Sequence, residues 1–360
     1  MSLELRNVTK KVGADMHIYE TTVSFDVGRF NILLGATNAG KSTLIKLMAG
    51  LEKPTSGEIR VDGENVTGVN PQKRNIALVH QFFVNYPHMT VFENIASPLR
   101  VQGIARSELK DRVEEAANIL QLGPMLNRRP QELSGGQQQR TALARAIVKE
   151  SKAIFLDEPL ANLDYKLREE LREQLPELLS GRGTVVVYAT SEPTEALLLG
   201  GFTALIHEGR ITQAGGTAEI YRTPSNLTSA RVFSDPPINL APVTKQGDEM
   251  VLGDELRWTV FKDAAALRDG RYTVGIRPHF VTPTQPDDPS VMLHGRVQIT
   301  ELSGSESIAH FSLGDKTWVS LAAGVHAYKV GELHQFHMIP GQCFYFDEKG
   351  DLAAKGRDHV

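Results

Sequence analysis

The sequence predicts an α/β domain built on a parallel sheet, followed by a small all-β domain. Up to about residue 235, short runs dense in Val, Ile and Leu alternate with helical stretches, which is typical of parallel strands buried on both faces. After the proline-rich segment SDPPINLAP, helical periodicity gives way to short alternating runs separated by turns. We therefore expect two domains, 1–235 and 236–360, in line with a length of 360 residues.

Four apolar runs are the expected strands of the first domain. They are RFNILLG (29–35), NIALVH (75–80), AIFLDEP (153–159) and TVVVYAT (184–190). Between the second and third runs, about 88–150, we expect a helical subdomain. Its segment SELKDRVEEAANILQL places one apolar face at Leu109, Val113, Ala116, Ala117 and Leu120. A second amphipathic helix, LREELREQLPELL, contains Pro176, where we expect a kink.

The second domain is predicted to be a small barrel or sandwich. Its expected strands are YTVGIRP, GRVQITEL, SIAHFSL, KTWVSLA and QCFYF. In SIAHFSL, Ala309, Phe311 and Leu313 share one face of the strand, with His310 and Ser312 on the other. The histidines of this domain are spread over different strands, which indicates surface or packing roles and no metal site.

Composition limits the possible classes of function. A net charge of −4 argues against a general nucleic-acid binder, which would carry a basic excess. The single cysteine, Cys343, excludes an intramolecular disulfide and a cysteine-based metal cluster, so we expect a reducing compartment. The N-terminus does not resemble a signal peptide, and no window approaches the roughly 18–20 apolar residues that span a bilayer.

A phosphate-binding loop follows the first predicted strand. The segment GATNAGKS fits the pattern G-x-x-x-x-G-K-[ST], in which glycines let several backbone N–H groups point at phosphate oxygens. Lys41 would reach the β- and γ-phosphates of a nucleotide, and Ser42 would be a ligand of Mg²⁺. The expected nucleotide-binding residues are Gly35, Ala36, Thr37, Asn38, Ala39, Gly40, Lys41, Ser42 and Thr43.

The run AIFLDEP ends in an acidic pair that completes this chemistry. Asp157 would hold Mg²⁺, directly or through water, and Glu158 would polarise the water that attacks the γ-phosphate. An acidic pair after a strand is weak evidence alone, but it becomes strong evidence after a phosphate loop.

The segment LSGGQQQR (133–140) predicts a second anion site. Ser134 and Gln137 form a capping box at a helix start, and Gly135 and Gly136 leave the first N–H groups bare. A well-capped helix would account for the capping box, but it would not account for a second phosphate site in one chain. A head-to-tail dimer does, because this helix end would then close on the nucleotide of a partner subunit.

Three motifs, GATNAGKS, LSGGQQQR and FLDEPLANLD in that order, resemble the ATPase subunits of ABC transporters, and the likeness covers nearly the whole chain. YRTPSNLTSARVFSDPPIN and VGIRPH resemble the carbohydrate-importer branch, of the maltose and glycerol-phosphate type. Within that branch, YATSEPTEALLLGG is most similar to bacterial glycerol and polyol uptake ATPases. The resemblance implies an ABC nucleotide-binding domain followed by an OB-like regulatory domain of the TOBE type.

The resemblance also implies roles for residues outside the phosphate loop. Gln81 would approach Mg²⁺ and the attacking water, and Asp164 would lie at the dimer seam. The signature residues Ser134 to Gln137 would act in trans, and the Tyr86–His88 region would face the membrane subunits. ATP and Mg²⁺ are therefore the expected cofactors.

The implied partners are a second ATPase subunit, two integral membrane permease subunits and a periplasmic or lipid-anchored solute-binding protein. The expected location is the cytoplasmic face of a bacterial inner membrane. A soluble ABC ATPase of repair or translation and a P-loop kinase are the alternatives. The first usually carries two cassettes or a long coiled-coil insertion, and the second has no use for LSGGQQQR.

The sequence departs from the family pattern at elements that act within one subunit. Val12 stands where an aromatic residue stacks on adenine, unless His17 or Tyr19 takes that role. Ser191 stands where the family has a switch histidine that contacts the γ-phosphate. A serine there would reach the phosphate only through water, and it is also expected to cap the helix that Pro193 begins. We therefore favour a heterodimer with a consensus ATPase subunit over a homodimer.

Overall fold

The computed structural model describes residues 2–82, 84–161, 163–179, 183–253, 256–260 and 262–356, and of Glu177 only the backbone. It divides into two compact units, Met1–Glu219 and Ile220–Val360. The division falls earlier than the composition change after residue 235, because the helix Leu227–Val232 contributes Ala230 to a core cluster of the second unit.

The first unit contains strands and helices in alternation after an initial hairpin. Its strands are β1 (Ser2–Val12), β2 (Asp15–Asp26), β3 (Phe30–Leu34), β4 (Ser56–Val61), β5 (Glu64–Asn65), β6 (Ile76–Val79), β7 (Ala153–Asp157), β8 (Val185–Thr190), β9 (Phe202–His207) and β10 (Arg210–Gly216). Its helices are α1 (Lys41–Ala49), α2 (Val91–Val101), α3 (Arg106–Ile119), α4 (Gly135–Val148), α5 (Tyr165–Leu179) and α6 (Pro193–Leu199), and α7 (Thr217–Arg222) follows at the division between the units.

A six-stranded sheet in the described part of this unit positions the candidate site. Its order is β10-β9-β3-β8-β7-β6, with β9, β3, β8, β7 and β6 parallel and β10 antiparallel to β9. All four predicted strands belong to it, and β3, β7 and β8 are buried along their whole length, as predicted. The carboxyl ends of β3, β7 and β8 meet at one edge, where ligands bind in open α/β sheets.

A second, antiparallel sheet of order β2-β1-β4-β5 was not expected from the sequence. Its hairpin strands β1 and β2 alternate buried apolar residues with charged and polar ones, and irregularities shift their register after Leu5. Leu3, Leu5 and Phe25 point into the same core as strand β3 and helix α1. The sheet therefore braces one side of the helix that follows the phosphate loop.

The predicted helices of this unit are confirmed. Helix α3 buries Leu109, Val113, Ala116 and Ala117, the face expected from its periodicity. Helix α5 runs on through Pro176 to Leu179.

Arg74 holds the far end of helix α1. Its guanidinium, almost fully buried, donates to the carbonyls of Leu47 (3.4 Å) and Met48 (2.8 Å) at the end of α1, and to Val66 (2.7 Å) and Val69 (3.0 Å). A cation at a helix C-terminus also interacts favourably with the helix dipole. This contact fixes the helix that carries Lys41 and Ser42.

We expect Arg74→Met to lower the free energy of unfolding by about 3–5 kcal/mol, because buried carbonyls lose their donors together with the cation that caps the helix. Arg60→Met is the matched control, since Arg60 pairs with Glu58 at the surface, and it should cost less than about 1 kcal/mol. Urea denaturation of the two variants measures both values. Equal losses would show that the Arg74 contacts add nothing to stability.

In its described residues the second unit is built of β-strands, as predicted, with a short α-helix and single-turn 3-10 helices between them. Its elements are α8 (Leu227–Val232), β11 (Asn239–Gln246), β12 (Glu249–Leu252), β13 (Leu256–Thr259), β14 (Gly270–Ile276), β15 (Val281–Thr282), β16 (Val291–Leu302), β17 (Glu306–Leu313), β18 (Lys316–Ala323), β19 (Leu333–Met338), β20 (Phe344–Phe346) and β21 (Leu352–Lys355). Two antiparallel sheets, β13-β12-β11-β14-β20-β21 and β15-β19-β16-β17-β18, enclose one core in a barrel-like, OB-like arrangement. Ala309 and Phe311 are buried in that core, as the alternation in SIAHFSL predicts.

Candidate functional site

The phosphate loop connects β3 to α1, and its backbone has the conformation that the motif requires. Gly40, the N-cap of α1, has φ of 110°, and Asn38 has φ of 66°, so asparagine occupies the left-handed region in this loop. A Cβ added to Gly35 would lie 2.3 Å from the carbonyl oxygen of Ile206. Glycine is therefore required at the first position of the loop.

Lys41 lies at the centre of the site. Its side chain is only 4% exposed, and its Nζ donates to the carbonyl oxygens of Gly35 (2.7 Å) and Ala36 (3.0 Å). The same nitrogen lies 3.2 Å from Glu158 Oε1. The predicted phosphate-binding lysine and the predicted catalytic carboxylate therefore form an ion pair inside the loop.

The acidic pair ends strand β7 beside this lysine. Glu158 has φ of 48° and donates its N–H to the carbonyl of Ala189 on β8 (3.0 Å), which turns its side chain back towards the loop. Its Oε2 accepts a hydrogen bond from Gln81 Nε2 (3.0 Å). Gln81 and Lys41 thus both contact the Glu158 carboxylate, and the roles expected of them at Mg²⁺, water and phosphate stay predictions.

Asp157 and Ser42 fit a magnesium ion. Asp157 is only 2% exposed, and burial raises the pKa of its carboxyl group, while the hydrogen bond with Ser42 and the proximity of His80 partly oppose that shift. Its Oδ1 is buried and has no hydrogen-bond partner among the described residues. An orphaned carboxylate oxygen beside a hydroxyl provides the hard oxygen donors that Mg²⁺ prefers.

The corner that carries Ser191 lies against the phosphate loop. The carbonyl oxygen of Thr190, the last residue of β8, accepts the N–H of Gly35 (3.3 Å). The prediction that Ser191 caps the following helix is wrong. The N-cap of α6 is Glu192, whose N–H is taken by the Thr190 hydroxyl (3.0 Å), and Ser191 itself is exposed.

The signature segment begins helix α4 as predicted. Ser134 is the N-cap, its Oγ accepts the N–H of Gln137 (3.3 Å), and the Gln137 side chain accepts the Ser134 N–H (3.0 Å). Ser134 and Gly135 are exposed, and a Cβ added to Gly135 would meet nothing within 4 Å. The helix end is therefore open to a ligand, and its action in trans stays a prediction.

Two further predicted residues lie at the surface. Asp164 is exposed, and its Oδ1 accepts the N–H of Leu167 (3.1 Å) in the first turn of α5. Its place at a dimer seam stays a prediction. Val12 is the last residue of β1 and is 46% exposed. One face of the Tyr19 ring is covered by the Arg210 guanidinium, whose carbon lies 3.5 Å from the ring centroid.

Sequence reasoning missed three residues around this site. His80 follows β6, whose last residue pairs with Leu156 just before Asp157, and its Nδ1 accepts the N–H of Phe82 (3.2 Å). Thr190 and Glu195 form a buried pair behind Ser191 (2.6 Å). The available signal was a threonine that ends a buried strand, with a glutamate five residues later on the following helix.

An apolar surface follows Gln81. Phe82 is 76% exposed, and Tyr86 is partly exposed beneath the Arg145 guanidinium, which lies 4.9 Å from the ring centroid. Tyr86 and Arg145, with Met89 and Pro98, line a groove of about 470 Å³. Among the described residues, no helix combines the length and the apolar character needed to cross a bilayer.

Comparison with known proteins gave one family and full-length relatives. The profile of the family described as ABC transporter matches residues 19–161. The sn-glycerol-3-phosphate import ATP-binding protein UgpC of Pectobacterium atrosepticum is 34% identical over 354 residues, which are 97% of this chain and 98% of that protein. UgpC 3 of Rhizobium etli is 38% identical over 313 residues, which are 87% of each chain.

Solved structures resemble the first part of the chain. A dimeric ATP-binding cassette in a post-hydrolysis state with ADP and phosphate has a TM-score of 0.55 and 29% identity, over 60% of this chain and 98% of that one. An ATP-binding subunit of an ABC transporter has a TM-score of 0.57 and 25% identity, over 62% and 92%.

Proposed function

This chain belongs to the ABC transporter family as an ATP-hydrolysing subunit, and we propose that it energises the import of a sugar, a polyol or glycerol phosphate. The convergence of Lys41, Ser42, Gln81, Asp157 and Glu158 at one edge of the parallel sheet supports the ATPase chemistry. These solutes are proposed because the chain resembles a glycerol-3-phosphate import ATP-binding protein over 97% of its length. Among these solutes, glycerol phosphate is the first candidate.

Asp157 and Ser42 would hold Mg²⁺ at the phosphates, with Gln81 nearby. The ion would supply positive charge to the β- and γ-phosphate oxygens as the leaving group departs. The backbone N–H groups of the loop 35–40 and the N-terminal end of α1 would cradle the same phosphates.

Lys41 and Glu158 must separate when ATP binds. In the structure Lys41 holds Glu158 Oε1, while Gln81 holds Oε2. A γ-phosphate in the loop would attract the lysine and free Oε1, which could then accept a proton from the attacking water. Gln81 would keep the carboxylate oriented during this exchange. ATP binding would thus activate the base that hydrolyses it.

The exposed signature helix supports a composite site. Ser134 and Gly135 are open to solvent, so this chain can present a second anion site to the nucleotide of a neighbour. The elements that depart from the family pattern, Val12 and Ser191, act on the chain's own nucleotide. We therefore propose a heterodimer in which this chain completes the active site of a consensus subunit. Turnover by the purified pair should exceed that of this chain alone by at least about tenfold, and equal rates would contradict the heterodimer.

Ser191→His is expected to raise ATP turnover at this chain's own site by about 10- to 100-fold. Histidine is longer than serine and can carry a positive charge, so it restores a transition-state donor at the γ-phosphate. Ser191→Ala is the control and should not raise turnover, since alanine adds neither length nor charge at this position. Steady-state phosphate release by the chain alone measures both variants. A gain below threefold for histidine would mean that residue 191 does not limit the rate.

The exposed Phe82 and the groove lined by Tyr86 and Arg145 would contact the membrane permease subunits, of which the complex would contain two, at the cytoplasmic face of the inner membrane. A periplasmic or lipid-anchored binding protein would deliver the solute to them. Uptake of radiolabelled glycerol 3-phosphate, compared with a sugar and a free polyol, in cells with and without this chain tests the function. Loss of one uptake activity together with co-purification of membrane proteins is expected. Unchanged uptake and a chain free of membrane partners would favour a soluble ABC ATPase.

A further inference from the structure

A buried carboxylate that the proposed mechanism does not use lies directly behind the switch corner. Glu195, on α6, is only 4% exposed, and burial raises the pKa of its carboxyl group. Its Oε2 accepts the hydroxyls of Thr190 (2.6 Å) and Tyr188 (2.9 Å), both at the end of strand β8. Arg172 of α5 lies 3.8 Å from its Oε1. Burying a carboxylate is costly without such partners, so a group with only a packing role would be better served by an apolar residue.

Thr190 connects Glu195 to the backbone on both sides of Ser191. A carboxylate can only accept, so the Thr190 hydroxyl must donate its proton to Glu195 and keeps its lone pairs for the N–H of Glu192 (3.0 Å). The carbonyl of the same threonine accepts the N–H of Gly35, the first residue of the phosphate loop. The chain is therefore fixed immediately before and immediately after Ser191, and it is tied to the loop.

We infer that Glu195 is a positioning residue which, through the Thr190 hydroxyl, holds the corner carrying Ser191 at the γ-phosphate end of the nucleotide site. This inference rests on the proposed function, because it assumes that ATP occupies the loop. This anchor is expected to affect the binding of ATP and of ADP differently. ADP has no γ-phosphate and does not reach the corner, so only the affinity for the triphosphate depends on this anchor.

Thr190→Val keeps the shape of the side chain and removes its hydroxyl, whereas Thr190→Ser keeps the hydroxyl. Binding of a non-hydrolysable ATP analogue and of ADP, each with Mg²⁺, is measured by calorimetry on the full chain. We expect Thr190→Val to lower the affinity for the analogue by about tenfold and the affinity for ADP by less than about twofold. Thr190→Ser should leave both affinities unchanged. Glu195→Gln should reproduce the selective loss in part, since a neutral amide oxygen is a weaker acceptor than a carboxylate and the new NH₂ group would face the Arg172 guanidinium, which lies 3.8 Å from Oε1.

Thr184→Val is the matched control for stability. Thr184 immediately precedes β8 at its opposite end, and its buried hydroxyl donates to the carbonyl of Ser151 (2.7 Å). This variant should lower the melting temperature about as much as Thr190→Val and leave the ratio of the two affinities unchanged. If Thr190→Val and Glu195→Gln instead keep the parent ratio of affinities, the positioning role is overturned while the proposed function stands. A parent chain that binds neither nucleotide would overturn both.

Discussion

Replacing Lys41 by alanine is expected to weaken ATP binding to the purified chain by about one to two orders of magnitude, because charge-assisted bonds to the phosphates are lost. Turnover at the same site should fall further, by about 10²–10³-fold, since the lysine also contacts developing charge in the transition state. The buried position of Lys41 and its contacts with Gly35, Ala36 and Glu158 make it the charge at the centre of the site.

Lys46→Ala is the matched control for this substitution. Lys46 lies five residues further along α1 and is partly exposed, and its Nζ lies 3.8 Å from Glu52 Oε1 in an ion pair. Its removal should leave ATP affinity within about twofold. Equilibrium titration with a fluorescent ATP analogue compares the two variants. If the two alanines gave the same affinity, Lys41 would not be a phosphate ligand.

Gly135→Asp is expected to lower ATP turnover by the assembled complex by about 10²–10³-fold without unfolding the chain. An added side chain at Gly135 meets nothing within 4 Å, and an acidic residue in the first turn of a helix is compatible with the helix dipole. The new carboxylate would face the phosphates of the neighbouring nucleotide and repel them. The chain's own affinity for ATP should not change, in contrast to Lys41→Ala.

Gly135→Ala separates the effect of volume from that of charge. It adds a methyl group and no charge, so it should retain clearly more activity than the aspartate variant. Phosphate release by the complex and the melting temperature of each variant are measured together. Full activity of Gly135→Asp would mean that the signature helix end does not approach a nucleotide.

The sequence predicted those elements whose hydrophobic or motif pattern lies within one short stretch of residues. Strands β3, β6, β7 and β8 are dense in apolar residues because the parallel sheet is covered on both faces. The phosphate loop and the capping box of α4 are contiguous motifs, so their residues meet whatever the rest of the chain does. The hairpin β1–β2 escaped prediction because only 7 of its 23 strand residues are buried and its register is irregular.

Contacts between distant parts of the chain could not be predicted in this way. Glu195 meets Arg172 and Tyr188 only because α5, α6 and β8 pack side by side, and no spacing in the sequence expresses that packing. The assignment of a cap to Ser191 failed for a related reason. Two hydroxyl residues precede Pro193 at the end of β8, and the backbone of the turn gives the capping position to Glu192.

The most direct measurement is the structure of the assembled complex with Mg²⁺ and a non-hydrolysable ATP analogue. We expect the nucleotide in the loop 35–42 of this chain, and we expect Ser134 and Gly135 within hydrogen-bond distance of the γ-phosphate held by the neighbouring subunit. A complex in which residues 134–137 lie far from every nucleotide would contradict the composite site and the transport function built on it.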